Sequence, residues 1–187
     1  MSSNLASINS NIDRVALKSY PFFMNYLAHA FLSPRDDEIL LGNISCDMIR
    51  PRDQEFLSPP IRQGFDLHQR IDKAADGHEG FKFIRATLNT KGLPYAGVLV
   101  DVICDHYLAR FWEDYSSERL SDFSQRIYRV LLEKASPLPG HFPRLAAHLR
   151  KEDWFGQFRS LEGLETALSR LNYRSSREIP VTMIMDV

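Results

Sequence analysis

The stretch PYAGVLVDVICDHYLARFWEDY, residues 94 to 115, decides the fold class. Wound at 3.6 residues per turn, Val98, Leu99, Val102, Ile103, Leu108, Phe111 and Trp112 point in several directions, so this helix is apolar around most of its circumference. Such a helix belongs at the centre of a bundle. The segments on either side repeat the helical period and are separated by breakers. Downstream, helices are expected over Leu120 to Lys134, Phe142 to Leu149 and Leu161 to Leu171, with Pro137-Leu138-Pro139-Gly140 turning the chain. Upstream they are expected over Glu79 to Leu88, Pro60 to Asp76, Asp36 to Arg50 and Asn25 to Leu32. No run alternates apolar and polar residues for long enough to make a strand. The class is all-α.

With 187 residues, 44% hydrophobic and 25% charged, the chain fits one domain with a core of its own. Residues 1–23 are read as a poorly ordered, polar N-terminal extension, residues 24–172 as the helical domain, and residues 173–187 as a tail of different character. A net charge of -1 argues against partners found through a bulk positive field, so no nucleic acid is expected. Two cysteines, Cys46 and Cys104, are too few for a disulfide framework and suit a reducing, cytoplasmic setting. Charges interrupt every apolar run, so no membrane span is expected.

Polar residues inside the apolar helices carry the chemistry. His68 and Asp72 stand four apart, on one helical face, where a histidine and a carboxylate can share a metal. The alternative is a solvated His/Asp pair, which the neighbouring Phe65, Leu67 and Ile71 disfavour. Asp101, Asp105 and His106 lie within the most apolar helix, where unpaired charge costs several kcal/mol. Metal ligation and a buried ion pair to an arginine are the two explanations there. Asn43 and Asp47 repeat the four-residue spacing, and His29 is a lone histidine in an apolar helix. One convergent polar centre accounts for all four segments, and Asp with His is suitable chemistry for Mg²⁺, Mn²⁺ or Zn²⁺. Glycine-rich phosphate loops, a nucleophile elbow and a Glu-x-x-His motif are all missing from the sequence.

The segments Met24 to His29, Gly42 to Asp47, His68 to Asp76 and Asp101 to His106, in that order and spacing, resemble bacterial acyl carrier protein phosphodiesterases. The likeness extends through Leu108-Ala109-Arg110-Phe111-Trp112, Glu152-Asp153-Trp154 and Leu161-Glu162-Gly163. That family is a divergent branch of the HD phosphohydrolases, so the resemblance implies a single-domain helical bundle of HD-phosphohydrolase type. It implies hydrolysis of the bond joining 4′-phosphopantetheine to a serine of holo acyl carrier protein, with Mn²⁺ as the metal and Mg²⁺ or Fe²⁺ as alternatives. The metal candidates are His29, Asp47, His68, Asp72, Asp105 and His106. Asp101, Asn43, Arg70 and Asp76 complete the site, with Arg70 read either as a residue that holds a phosphate oxygen or as an ordinary surface ion-pair partner.

An HD-type nucleotide phosphohydrolase and an inactive helical interaction module are the competing readings. Clustering of Arg50, Arg52, Arg62, Arg70, Lys82 and Arg85 at the mouth of the site would favour an acidic protein substrate. Family members continue into a further long helix where Ile179 to Val187 does not match. A strip along Val98, Phe111, Leu131 and Leu168 is therefore expected to lie uncovered, to be buried by a homodimer or by residues 1–23 folding back, or else to lower stability.

Overall fold

Side-chain caps decide where several helices begin. Asp36 accepts from the amides of Glu38 and Ile39, Ser58 from Ile61, and Ser160 from Gly163. Each satisfies amides that a first helical turn leaves without an internal partner. The computed structural model describes residues 25–136, 138 and 142–185. The N-terminal extension read over residues 1–23 lies outside the described residues, as does most of the Pro137 to Gly140 turn.

Helices α1 (Tyr26–Phe31) and α2 (Asp37–Ser45) lead into a 3-10 turn, Cys46–Met48, and the short α3 (Pro51–Gln54). The long α4 (Pro59–Gly77) and α5 (Glu79–Thr90) follow, then α6 (Ala96–Arg110), α7 (Trp112–Tyr115) and α8 (Leu120–Lys134). The chain finishes with α9 (Phe142–Lys151), α10 (Trp154–Gln157), α11 (Leu161–Arg174) and α12 (Val181–Met185). Among the described residues there is no strand, and no helix is long and apolar enough to cross a membrane. α6 is central, touching α1, α5, α10 and α11, and α2 lies along α4. Leu27, Leu41, Leu99, Trp112, Tyr128 and Phe155 are among the fully buried side chains of one continuous core.

Two expected helices are shorter than their apolar pattern. The segment from Asp36 breaks after Ser45, and the segment from Pro94 starts only at Ala96, because Tyr95 adopts a left-handed φ of 59°, and breaks at Phe111. The second break turns Trp112 into the core, where its indole N–H donates to the Glu118 carbonyl.

The uncovered strip is not found. Leu131 and Leu168 are 0% exposed, because α8 packs on α9 and α10 while α11 packs on α6 and α12. Val98 is half-buried, and Phe111, at 44% exposed, is the one residue of the four left open. In the tail, Ile179 and Ile184 are buried. With Leu131 and Leu168 covered, this face does not call for a homodimer.

Candidate metal centre and its cavity

The centre begins with two glycines. A Cβ on Gly64 would lie 2.6 Å from the Asn43 amide nitrogen and 2.7 Å from Gly42 Cα, and one on Gly42 would collide with the Ile61 carbonyl. The backbones of α2 and α4 therefore touch. One turn beyond Gly64, on the same face, His68 reaches the other helix and its Nδ1 donates to the Asn43 carbonyl at 2.7 Å. That carbonyl belongs to the last turn of α2, where no α-helical partner is available. The Asn43 side chain serves α1. Its amide nitrogen donates to the His29 carbonyl at 2.9 Å and to Ser33 Oγ at 2.8 Å. A carbonyl can only accept, so the Asn43 oxygen must be the atom that faces His29 Nδ1 at 2.8 Å, and Nδ1 carries the hydrogen.

Asn43 thus fixes both histidines with their Nδ1–H bonds spent on oxygens and their Nε2 lone pairs free. His29 and His68 are 1% and 4% exposed, and their rings stack with centroids 4.1 Å apart. His29 Nε2 lies 3.2 Å from Asp72 Oδ1, and His68 Nε2 lies 3.0 Å from Asp47 Oδ2 and 3.3 Å from Asp72 Oδ2. Both Nε2 atoms are buried and make no aligned hydrogen bond. Ligand atoms of His29, His68 and Asp72 lie within 4.8 Å of one another, as do those of Cys46, Asp47 and His68. A histidine whose second ring nitrogen donates to a carbonyl is the usual preparation for a metal ligand. Two buried, orphaned imidazole nitrogens facing carboxylates therefore fit a divalent cation.

The electrostatics agree. Burial pulls the His68 pKa down, but the close approach of Asp47 and the charges of Asp47 and Asp72 outweigh this and hold it above its ordinary value. Burial raises Asp72, yet His29 and His68 leave it below the usual carboxylate range. Positive charge is favoured between these groups. Burial and the neighbouring Asp47 push Cys46 up to about 12, so it is a protonated thiol.

The other expected site residues are engaged elsewhere. Asp105, 0% exposed, accepts from the amides of Leu27 at 3.1 Å and Ala28 at 2.9 Å, capping α1 from α6. Burial raises it well above the carboxylate range. His106 Nδ1 bonds the Phe158 carbonyl at 2.7 Å, and burial lowers its pKa. Asp101 lines the cavity beside the centre, and burial, with the charges of Asp72, Asp76 and Asp47, pushes it up to about 7 against the opposing pull of Arg85. Asp76 pairs with Arg85. Arg70 is exposed, its Nε near the Asp66 carbonyl of its own helix.

The cavity has a volume of about 930 Å³. Asp47, Asp72, Asp76 and Asp101 contribute its negative charge, while Leu32, Leu67, Ile71, Phe81 and Val98 give it an apolar wall. Of the six basic residues singled out in the sequence, only Arg70 and Arg85 line it. The sequence offers Arg85 no role within the site. No helical spacing reveals it, because a helix break at Gly77 and His78 separates it from Asp76.

An all-helical protein whose His and Asp donors converge beside a cavity of about 930 Å³ is the class that fold and site define. Within it the chain belongs to the acyl carrier protein phosphodiesterase family, whose model matches residues 24–187 and so takes in the tail as well. Curated relatives bear the same name. The chain is 28% identical over 155 residues to the acyl carrier protein phosphodiesterase of Serratia proteamaculans (strain 568), covering 82% of this chain and 80% of that protein. It is 30% identical over 152 residues to that of Yersinia pestis, covering 81% and 79%. With that of Escherichia coli O45:K1 (strain S88 / ExPEC) it shares 26% identity over 155 residues, covering 82% and 80%. No solved structure matches the chain.

Proposed function

We propose that the cavity hydrolyses the phosphodiester between 4′-phosphopantetheine and the serine of holo acyl carrier protein, releasing the apo carrier in the cytoplasm. The observation that carries the reading is the pair of buried, unpartnered Nε2 atoms of His29 and His68, facing Asp72 and Asp47 at the cavity wall. These four residues would hold the metal, with Mn²⁺ the first candidate and Mg²⁺ or Fe²⁺ the alternatives. When bound, such an ion lowers the pKa of a ligated water from ~15.7 toward neutrality and offsets phosphate charge.

The remaining work belongs to the chain. Asn43 keeps both imidazoles in the tautomer that offers Nε2, and Asp105 fixes the start of the helix that carries His29. Asp101, which burial and the charges of Asp72, Asp76 and Asp47 push up to about 7, lines the same cavity and is the carboxyl we assign to give a proton to the departing serine oxygen. The apolar wall excludes water from the phosphopantetheine arm.

Incubation of the purified protein and Mn²⁺ with holo carrier protein, followed by intact-mass analysis, tests the reading. Loss of the phosphopantetheine mass is expected with the native chain and not with His68→Ala or Asp72→Ala. A carrier that keeps its full mass while the native protein binds Mn²⁺ would reject this substrate.

A further inference from the structure

Two guanidinium groups face the cavity, and the structure treats them differently. Arg70 stands on the exposed face of α4, with its Nε turned back to its own helix. Arg85 is half-buried on α5, one turn after Phe81, so the two share the face that lines the cavity. Its Nη2 donates to Asp76 Oδ1, while its Nε is buried with no hydrogen-bond partner. An ordinary surface pair does not explain this arrangement. The Arg85 and Asp76 side chains are 36% and 62% exposed, and pairs of that kind are worth little, so the pair itself does not offset the cost of burying the Arg85 Nε.

A buried donor left unpaired is destabilising, so the pose of Arg85 is held at a cost that an anion on its remaining cavity-side N–H groups would offset. Guanidinium presents five donors in a planar fork matched to phosphate oxygens, and Asp76 occupies one of them. With its rotamer already held, Arg85 loses little further freedom on meeting an anion. Its positive charge also acts on Asp101, which places it towards the same part of the cavity.

We propose that Arg85, tethered by Asp76, is the binding residue for the non-bridging oxygens of the substrate phosphate, with Asp76 its positioning residue. The proposal rests on the phosphodiesterase reading for its substrate, but its test has a separate readout: binding of inorganic phosphate to the Mn²⁺-loaded protein by calorimetry. Loss of one charge-assisted, forked contact is worth roughly 10- to 100-fold. Arg85→Gln should weaken phosphate by about that factor and raise KM for holo carrier protein, with the Mn²⁺ titration unchanged. Arg85→Lys, which keeps the charge and loses the fork, should fall between and decides the matter if Arg85→Gln does not fold. Asp76→Asn should weaken phosphate less than Arg85→Gln.

Phosphate binding that is undetectable in the native protein, or equal in native protein and the Arg85 variants, overturns the proposal. So does a parallel loss of Mn²⁺ affinity, which would make Arg85 structural, or a loss that follows Arg70→Gln instead. Failure of carrier-protein hydrolysis with phosphate binding still dependent on Arg85 would reject the substrate and leave the phosphate site standing.

Discussion

Replacing Asn43 with alanine should disarm the centre without touching a metal candidate. The substitution removes three side-chain hydrogen bonds, to His29 Nδ1, the His29 carbonyl and Ser33 Oγ. The His29 carbonyl keeps Ser33 Oγ as a donor at 2.8 Å, and Ser33 is near enough to the surface to recruit water. His29 Nδ1 has no such recourse and is left buried without a partner. The two bonds made by the Asn43 amide nitrogen, at about 1 kcal/mol each, plus the orphaned His29 donor at about 1–3 kcal/mol, sum to roughly 3–5 kcal/mol. At about 2–4 °C per kcal/mol for a chain of this size, the Tm should fall by roughly 10 °C. The imidazole is then free to change tautomer, and Mn²⁺ affinity should drop about 10- to 100-fold. Thermal melts with and without Mn²⁺, together with a Mn²⁺ titration, measure both effects. Because Asn43 acts on His29, the double variant with His29→Ala should bind Mn²⁺ no more weakly than His29→Ala alone. An Asn43→Ala protein that melts within a degree of the native chain and binds Mn²⁺ equally well would show that the Asn43 side chain does not hold His29 in place.

Three further outcomes follow from the same geometry. Gly64→Ala must push α4 away from α2, since the atoms in its path are backbone; a loss of about 3 kcal/mol or more and weakened Mn²⁺ binding are expected, and unchanged melting would contradict the contact. Asp101 holds a proton in the folded state up to about pH 7 that the unfolded chain releases near 3.8, so the native state binds more protons in that window and stability falls as pH rises through it. Asp101→Asn should therefore raise the Tm at pH 8, by an amount corresponding to about 3 kcal/mol at most because part of the group meets water, leave pH 4 nearly unchanged, and lower kcat about 10²–10⁴-fold. Asp105→Ala should lower the Tm by removing the cap on α1, whereas Asp105→Asn, which keeps one acceptor oxygen, should retain most Mn²⁺ affinity. Abolished Mn²⁺ binding in a folded Asp105→Asn protein would instead make Asp105 a direct ligand.

Much of the fold is legible in the sequence, and particular residues show why. Leu120 to Lys134 reads correctly at both ends because its amphipathic period is clean and Pro137 follows. The breaks at Ser45 and Phe111 carry no glycine or proline and depend on tertiary contacts, the burial of Trp112 above all. Within the site, His68 and Asp72 are legible as a pair because they share one face. Asp105 and His106 read as joint candidates by adjacency, yet neighbours on a helix point about 100° apart, and the structure turns one to α1 and the other to Phe158. The role of the Asn43 carbonyl has no sequence signature, since every residue has one.

The contact between Gly42 and Gly64 also bears on how this chain can drift. A helix interior normally welcomes alanine over glycine by about 0.5–1 kcal/mol, so random substitution would be expected to erode both positions. Here the side chain that is missing lets a backbone oxygen reach His68, so the two places that bear no functional group should be as intolerant as the histidines. In a saturation library selected for activity, glycine alone should survive at both, while Ala74 and Ala75, on the cavity wall nearby, should accept several replacements.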